Sequence, residues 1–176
     1  MNVLKFKNSF FSQSYLTVSI LGRSFKLNIK YTNTSIVELN KNENSIELIL
    51  PKQYKNAQNM DIINLSIQKL YNKIAETEIE YAMEVARHLL KFAPEDYKIE
   101  RIPNEFYKCS KNKIIINPDI VQYNREIINT TIIQAFCRTK YRINSNAYKK
   151  QLEQALDEYE IYKSKINIED KFVKVS

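Results

Sequence analysis

The chain has 176 residues, 44% of them apolar, which is enough for one substantial core and short for two. Lysine and arginine outnumber acids 27 to 20, and the resulting +7 favours phosphate-bearing or acidic partners by Coulomb attraction, although an AT-rich coding sequence would raise Asn, Lys and Ile with no functional cause. A single glycine, Gly22, excludes the glycine-rich phosphate loop and the dinucleotide fingerprint, which need several glycines at fixed spacing.

From Leu16 to Leu50 the apolar residues alternate in short runs, LTVSIL, FKLNIKY, SIVEL and SIELIL, parted by polar turns such as 40–44. A period of two predicts several antiparallel strands with one face on a core, the last closed by Pro51. From Asp61 to Phe92 the period becomes helical. Ile63, Ile67, Leu70 and Ile74 form one stripe, and Ile79, Met83, Ala86 and Leu90 a second. This predicts two helices or one long bent helix, with Asp61 and Thr77 as caps and Pro94 beyond the end. A strand near Tyr97–Ile102 follows, then a hairpin pairing Glu105–Cys109 with Ile114–Asn117 across SKNK. Two helices close the chain, Arg125–Tyr141 behind Asn124 as N-cap, and Ser145–Tyr162. The tail from Asn167 to Ser176 reads as a short strand or a disordered end. Strands grouped before helices indicate an α+β class: N-terminal antiparallel strands, central helices, a small hairpin and a C-terminal helix pair. One domain is expected over 1–176, β-rich in 1–56 and helical in 57–176.

Cys109 and Cys137 lack C-x-x-C spacing, and no secretory signal is recognisable, so a reducing cytoplasm is the expected compartment. No apolar run approaches the roughly 20 residues of a membrane helix, so no membrane partner is expected.

The segment Phe106–Tyr148, FYKCSKNKIIINPDIVQYNREIINTTIIQAFCRTKYRINSNAY, carries the strongest motif content. It resembles the C-terminal half of the YgjP-like metallopeptidase family, relatives of the SprT-type zincins. The family pattern is approximately W-G-S-C-S, I-x-x-N-x-x-L, a proline, then H-E-L-x-H, a third histidine and an aromatic residue. Cys109 and Ser110 keep the cysteine-serine pair, with Phe106 in the place of the tryptophan and Tyr107 and Lys108 in place of glycine and serine. Ile114 and Asn117 keep I-x-x-N, Ile120 takes the leucine position, and Asn124 stands for the proline. Ile132 and Ile133 supply the apolar pair before the metal helix. In this register the two helix histidines become Gln134 and Arg138, the general-base glutamate becomes Ala135, and the third ligand becomes Asn144, with Ser145 and Tyr148 retained. The N-terminal half matches more loosely, through SIELILP and YKIERIP.

An H-E-x-x-H helix works because residues four apart share a face, so two imidazoles reach one zinc ion while the glutamate takes a proton from its water. Here that face carries a carboxamide and a guanidinium. The resemblance therefore implies a zincin scaffold without its chemistry: no catalytic residue, no metal and no cofactor. Lys108, Lys111, Lys113, Arg138, Lys140, Tyr141, Arg142, Tyr148 and Lys149 are expected to line the inherited groove, with Tyr107 and Lys150 beside them. Three functions suit such a groove. The first is a pseudopeptidase that binds or regulates a protein or peptide, and the second is nucleic-acid binding through lysines and stacking tyrosines. The third, a metal-independent hydrolase, would need a pair such as the lone His88 with Cys137. The carboxylate pairs Glu95 and Asp96, Asp157 and Glu158, and Glu169 and Asp170 read as solvated turns or helix faces.

Overall fold

Alternation at the start of the chain builds a sheet whose inner face is Val18 and Ile20, Phe25 and Leu27, then Ile46, Leu48 and Leu50, all buried. In the computed structural model, which describes residues 11–12, 15–55, 60–110 and 112–173, five strands make this sheet. They are β1 (Phe11–Ser12), β2 (Tyr15–Ile20), β3 (Arg23–Thr32), β4 (Glu38–Lys41) and β5 (Ser45–Pro51), in spatial order β1-β2-β3-β5-β4.

The α+β class is as expected, but the expectation of purely antiparallel pairing fails at one junction. β3 and β5 run parallel, with Ile29 opposite Leu48. SIVEL contributes a strand only from Glu38, leaving Ile36 60% exposed, and the chain then doubles back so that β4 and β5 form the hairpin, with Leu39 opposite Leu48. The reason lies in the side chains. β5 buries Ile46, Leu48, Leu50 and Pro51 and takes a central place, whereas β4 buries none of its residues and suits an edge.

β2 and β3 are joined by Leu21 and Gly22, both at positive φ (49° and 78°), a two-residue turn whose twist matches the flanking strands. Leucine is a costly occupant of that conformation. Its N–H donates to the Val121 carbonyl at 2.7 Å and the Gly22 N–H to the Gln122 carbonyl at 3.2 Å, so the turn is held by the opposite half of the chain.

The helical stretch is one helix, α1 (Met60–Leu90), rather than two. With no Pro or Gly inside it, nothing interrupts the backbone ladder at Thr77, and Asp61 lies within the first turn. Ile63, Ile67, Tyr71, Ala75 and Ile79 make one buried stripe that continues through Ala82, Met83, Ala86 and Leu90. The Tyr71 hydroxyl donates to the Ser19 carbonyl at 3.0 Å, and burial pushes its ionisation far above the ordinary phenol range. Lys91 ends the helix at φ 58°, a left-handed terminus ahead of Pro94.

The second sheet has order β6-β8-β7, from β6 (Asp96–Ile99), β7 (Tyr107–Ser110) and β8 (Lys113–Ile116). β7 and β8 form the expected antiparallel hairpin, and β6 joins β8 in parallel. Asn117, 2% exposed, locks its end. Its Nδ2 donates to the carbonyls of Ile102 (2.9 Å) and Glu105 (3.0 Å), its Oδ1 accepts from the Asp119 N–H (3.1 Å), and its own N–H donates to the Phe106 carbonyl (2.8 Å). A buried amide so fully satisfied specifies one loop geometry.

A 3₁₀ turn (Pro118–Gln122) leads to α2 (Arg125–Lys140), capped as expected by Asn124, whose Oδ1 accepts from the Ile127 N–H at 3.0 Å. α3 (Asn146–Val173) runs past the expected end at Tyr162 through Val173, which replaces the reading of 167–173 as strand or coil; residues 174–176 lie outside the described ones. α2 is tied to α3 by the Asn129 Nδ2 donating to the buried Tyr159 hydroxyl at 2.9 Å. It is tied to α1 by a two-pronged ion pair, Arg125 to Glu78 at 2.7 Å on each prong.

A Cβ at Gly22 would stand 3.0 Å from the Asn124 Cβ, at a φ that side chains resist. Gly22→Ala is therefore expected to cost about 1–3 kcal/mol, read as a lowered midpoint in urea denaturation followed by circular dichroism.

Candidate functional site

The last turn of α2 lies against β7, and the alternation of that strand decides what it meets. Tyr107 and Cys109 are half-buried on one face of β7, while Lys108 and Ser110 are exposed on the other. The Arg138 guanidinium carbon sits 5.2 Å from the Tyr107 ring centroid, within cation–π range. The neighbouring Tyr107 phenol holds the Arg138 pKa above its ordinary value. One turn earlier, the Ala135 carbonyl accepts from the Cys109 thiol at 3.5 Å. Electrostatic contacts extend from Arg138 to Cys109 and Tyr148, and from Tyr148 to Cys137. The assembled group is Tyr107, Cys109, Cys137, Arg138 and Tyr148.

Burial sets the proton chemistry. It raises the Cys137 thiol from 9.0 to about 11 and the Tyr148 phenol from 10.0 to about 12. Tyr107 and Cys109 are raised by the same cause, with Arg138 working in the opposite direction on both. At neutral pH the cluster is thus one permanent cation among neutral thiols and phenols.

The other expected groove residues have separate fates. Gln134 is half-buried one turn before Arg138, and Ala135 is fully buried. Asn144 is exposed at φ 63°, a backbone conformation that asparagine tolerates better than most residues, in the turn before α3. Ser145 caps that helix by accepting the Tyr148 N–H at 3.1 Å. Among the described residues no hydrogen bond or ion pair joins Gln134 or Asn144 to the Arg138 cluster. Lys108 projects away from Tyr107. Lys113 pairs with Asp96 at 3.6 Å, and Lys140 lies 4.5 Å over the Phe92 ring and 5.7 Å over that of Tyr141. The Tyr141 ring stands edge-on to Phe92, and its hydroxyl reaches Gln151 at 3.4 Å. Arg142, Lys149 and Lys150 are exposed, and Lys111 lies outside the described residues.

Other candidates fall into structural roles. His88 is exposed on α1 with its ring 6.2 Å from that of Tyr162, while Cys137 is fully buried, so the two do not form a nucleophile and base. Glu95 accepts from the Asn112 amide at 2.9 Å, and Asp96 is the partner of Lys113. The contact that sequence reasoning missed is Arg138 on Tyr107. Its only sequence trace is the two-residue spacing of Tyr107 and Cys109, which puts both on one strand face.

A catalytic zinc site needs three protein donors and an open position. Among the described residues no group of three His, Cys, Asp or Glu side chains could hold a metal ion. Arg138, where the resemblance leads one to expect a histidine, is a guanidinium, which repels a divalent cation and donates hydrogen bonds without accepting any. The residues present do not fit zinc.

A family model described as YgjP-like, metallopeptidase domain, matches residues 4–169. The chain belongs to the YgjP-like family. No curated protein and no solved structure matches it. Among the described residues no helix is long and apolar enough to cross a membrane.

The thiols supply a test. Iodoacetamide at pH 8 should modify half-buried Cys109 in the folded protein and Cys137 only after unfolding, as read by peptide mass spectrometry. Cys137 and Tyr148 hold their protons more tightly when folded. Their contribution to stability is therefore complete below the unfolded values near 9.0 and 10.0, and is lost as pH rises through about 11 and about 12. Thermal stability should fall across that window, and Cys137→Ala should flatten its lower part.

Proposed function

We propose that this YgjP-like domain holds a protein or peptide segment without cleaving it. The observation that carries this reading is the Arg138 guanidinium lying on Tyr107 where the family pattern places a metal-binding histidine. Held by its ring contact, that cation is suited to a carboxylate or carbonyl oxygen of a bound chain. β7 offers the backbone complement. It is the outer strand of its sheet, paired with β8 on one side, and an extended peptide can add to such an edge through main-chain hydrogen bonds. The Ala135 methyl offers no proton acceptor at the position of the family's general base, which supports binding without turnover.

Nucleic acid is the weaker reading of the same surface. Stacking on bases needs open aromatic faces. Tyr148 is 7% exposed, Tyr107 is covered by Arg138, and Tyr141 is engaged with Phe92 and Lys140.

Protein prepared without a histidine tag is expected to carry under about 0.1 zinc per chain by elemental analysis and to leave unstructured substrates intact, with or without added zinc. Acidic extended peptides should shift the backbone amide resonances of Tyr107–Ser110, and Arg138→Glu should weaken that binding about ten-fold or more while lowering the thermal midpoint only by the roughly 2–4 °C that loss of one ring contact carries. Stoichiometric zinc with peptide cleavage would sink the proposal. Tight binding of single-stranded DNA, falling steeply with salt, would favour the nucleic-acid reading.

A further inference from the structure

A second feature lies at the opposite end of α2, roughly 20 Å along the helix axis from Arg138. Where the β2–β3 turn docks beside Asn124, a cavity of about 470 Å³ opens between the first sheet and the start of α2, lined by Ile20, Leu21, Arg23, Phe25, Lys41 and Arg125. The volume falls within the roughly 300–1,000 Å³ of small-molecule sites.

The lining divides by chemistry. Ile20 and Phe25 are almost fully buried and Leu21 partly so, which gives an apolar floor. Arg23, Lys41 and Arg125 are exposed residues around it, so three cations ring one apolar patch. Among the described residues neither Arg23 nor Lys41 has a carboxylate partner within an ion-pair distance. Lys41 instead hangs 5.0 Å over the Phe25 ring, a contact that leaves its ammonium hydrogen-bonding capacity largely unspent. Arg125 is steadied by Glu78, which engages its Nε and Nη2. Glu78 is thus committed to one guanidinium, which leaves Arg23 and Lys41 as the cations available to a bound anion.

We propose that this cavity binds a small organic anion, with its carboxylate or phosphate oxygens on Arg23, Lys41 and Arg125 and its apolar body on Ile20, Leu21 and Phe25. Charge complementarity selects the anionic head, because three cationic side chains line one cavity and an anion there meets attraction from each. The buried aromatic and aliphatic floor selects an apolar body over bare phosphate. The site is independent of the peptide reading at Arg138 and would survive its failure.

Gly22, the only glycine of the chain, sits in the adjoining turn, and its amide gives a resolved reporter in a ¹H–¹⁵N correlation spectrum. Phenyl phosphate and benzoate, titrated separately, show which oxyanion is preferred; at least one should shift that resonance saturably. Inorganic phosphate should bind about ten-fold more weakly and neutral benzyl alcohol should produce no saturable shift. Arg23→Gln and Lys41→Gln, both at exposed positions, should each weaken binding about ten-fold, with Lys69→Gln on α1 as a control that leaves it unchanged. Absence of saturation with both organic anions, an equal response to benzyl alcohol, or affinity unchanged in both cavity variants would overturn the proposal. An equal loss in Lys69→Gln would do so too, because the effect would then be one of net charge.

Discussion

Two backbone hydrogen bonds couple the halves of this chain. The Leu21 and Gly22 amides donate to the carbonyls of Val121 and Gln122, residues a hundred positions later, at the point where the 3₁₀ turn passes into α2. The turn can reach that deep only because Gly22 has no side chain to strike Asn124, and because both turn residues accept positive φ. Asn124 is also the N-cap of α2, so a single asparagine closes the helix and receives the sheet. Leucine in a left-handed conformation costs about 1–2 kcal/mol, and the tethered amide and packed side chain offset it. Direction and position of α2 are fixed at this junction, and both candidate sites hang from its two ends.

Asn117 plays the complementary part on the other sheet. With its amide and backbone N–H spread over four partners, it sets how the β7–β8 hairpin meets the loop 102–106 and the 3₁₀ turn. β7 is thereby presented to the last turn of α2 with Tyr107 and Cys109 facing it. A metal site would need neutral or anionic donors converging there. The side chains that do converge are a guanidinium, two phenols and two thiols with raised pKa values, a set that excludes divalent cations electrostatically and welcomes oxygen acceptors.

The basic residues show why a count of charges misleads. Lysines close in sequence to α2 suggest one continuous positive groove. Strand alternation sends Lys108 to the face opposite Tyr107, Asp96 takes Lys113, and Phe92 takes Lys140. Arg23 and Lys41, which have no carboxylate partner among the described residues, come from β3 and β4 in the first sheet, distant in sequence from Arg125, and share a cavity with it only through folding.

What the sequence alone determined follows from local periodicity and from motif spacing. Alternation placed Val18, Phe25, Leu27, Ile46, Leu48 and Leu50 on a buried face, four-residue recurrence made α1, and Asn124 before REII marked the start of α2. The motif content from Cys109 to Tyr148 pointed to the YgjP-like family, to which the chain belongs. Tertiary structure decided what depends on contacts between distant segments. The parallel pairing of β3 with β5 turns on which strand could be buried on both edges, and the unbroken run of α1 through Thr77 on a continuous core beneath it. The stacking of Arg138 on Tyr107 needed β7 to arrive beside α2, and the cationic cavity needed two sheet residues brought to a helix start. Periodicity reports which side of an element is apolar. It carries no information about which other element will cover that side, because that choice is made by the summed packing of the whole chain.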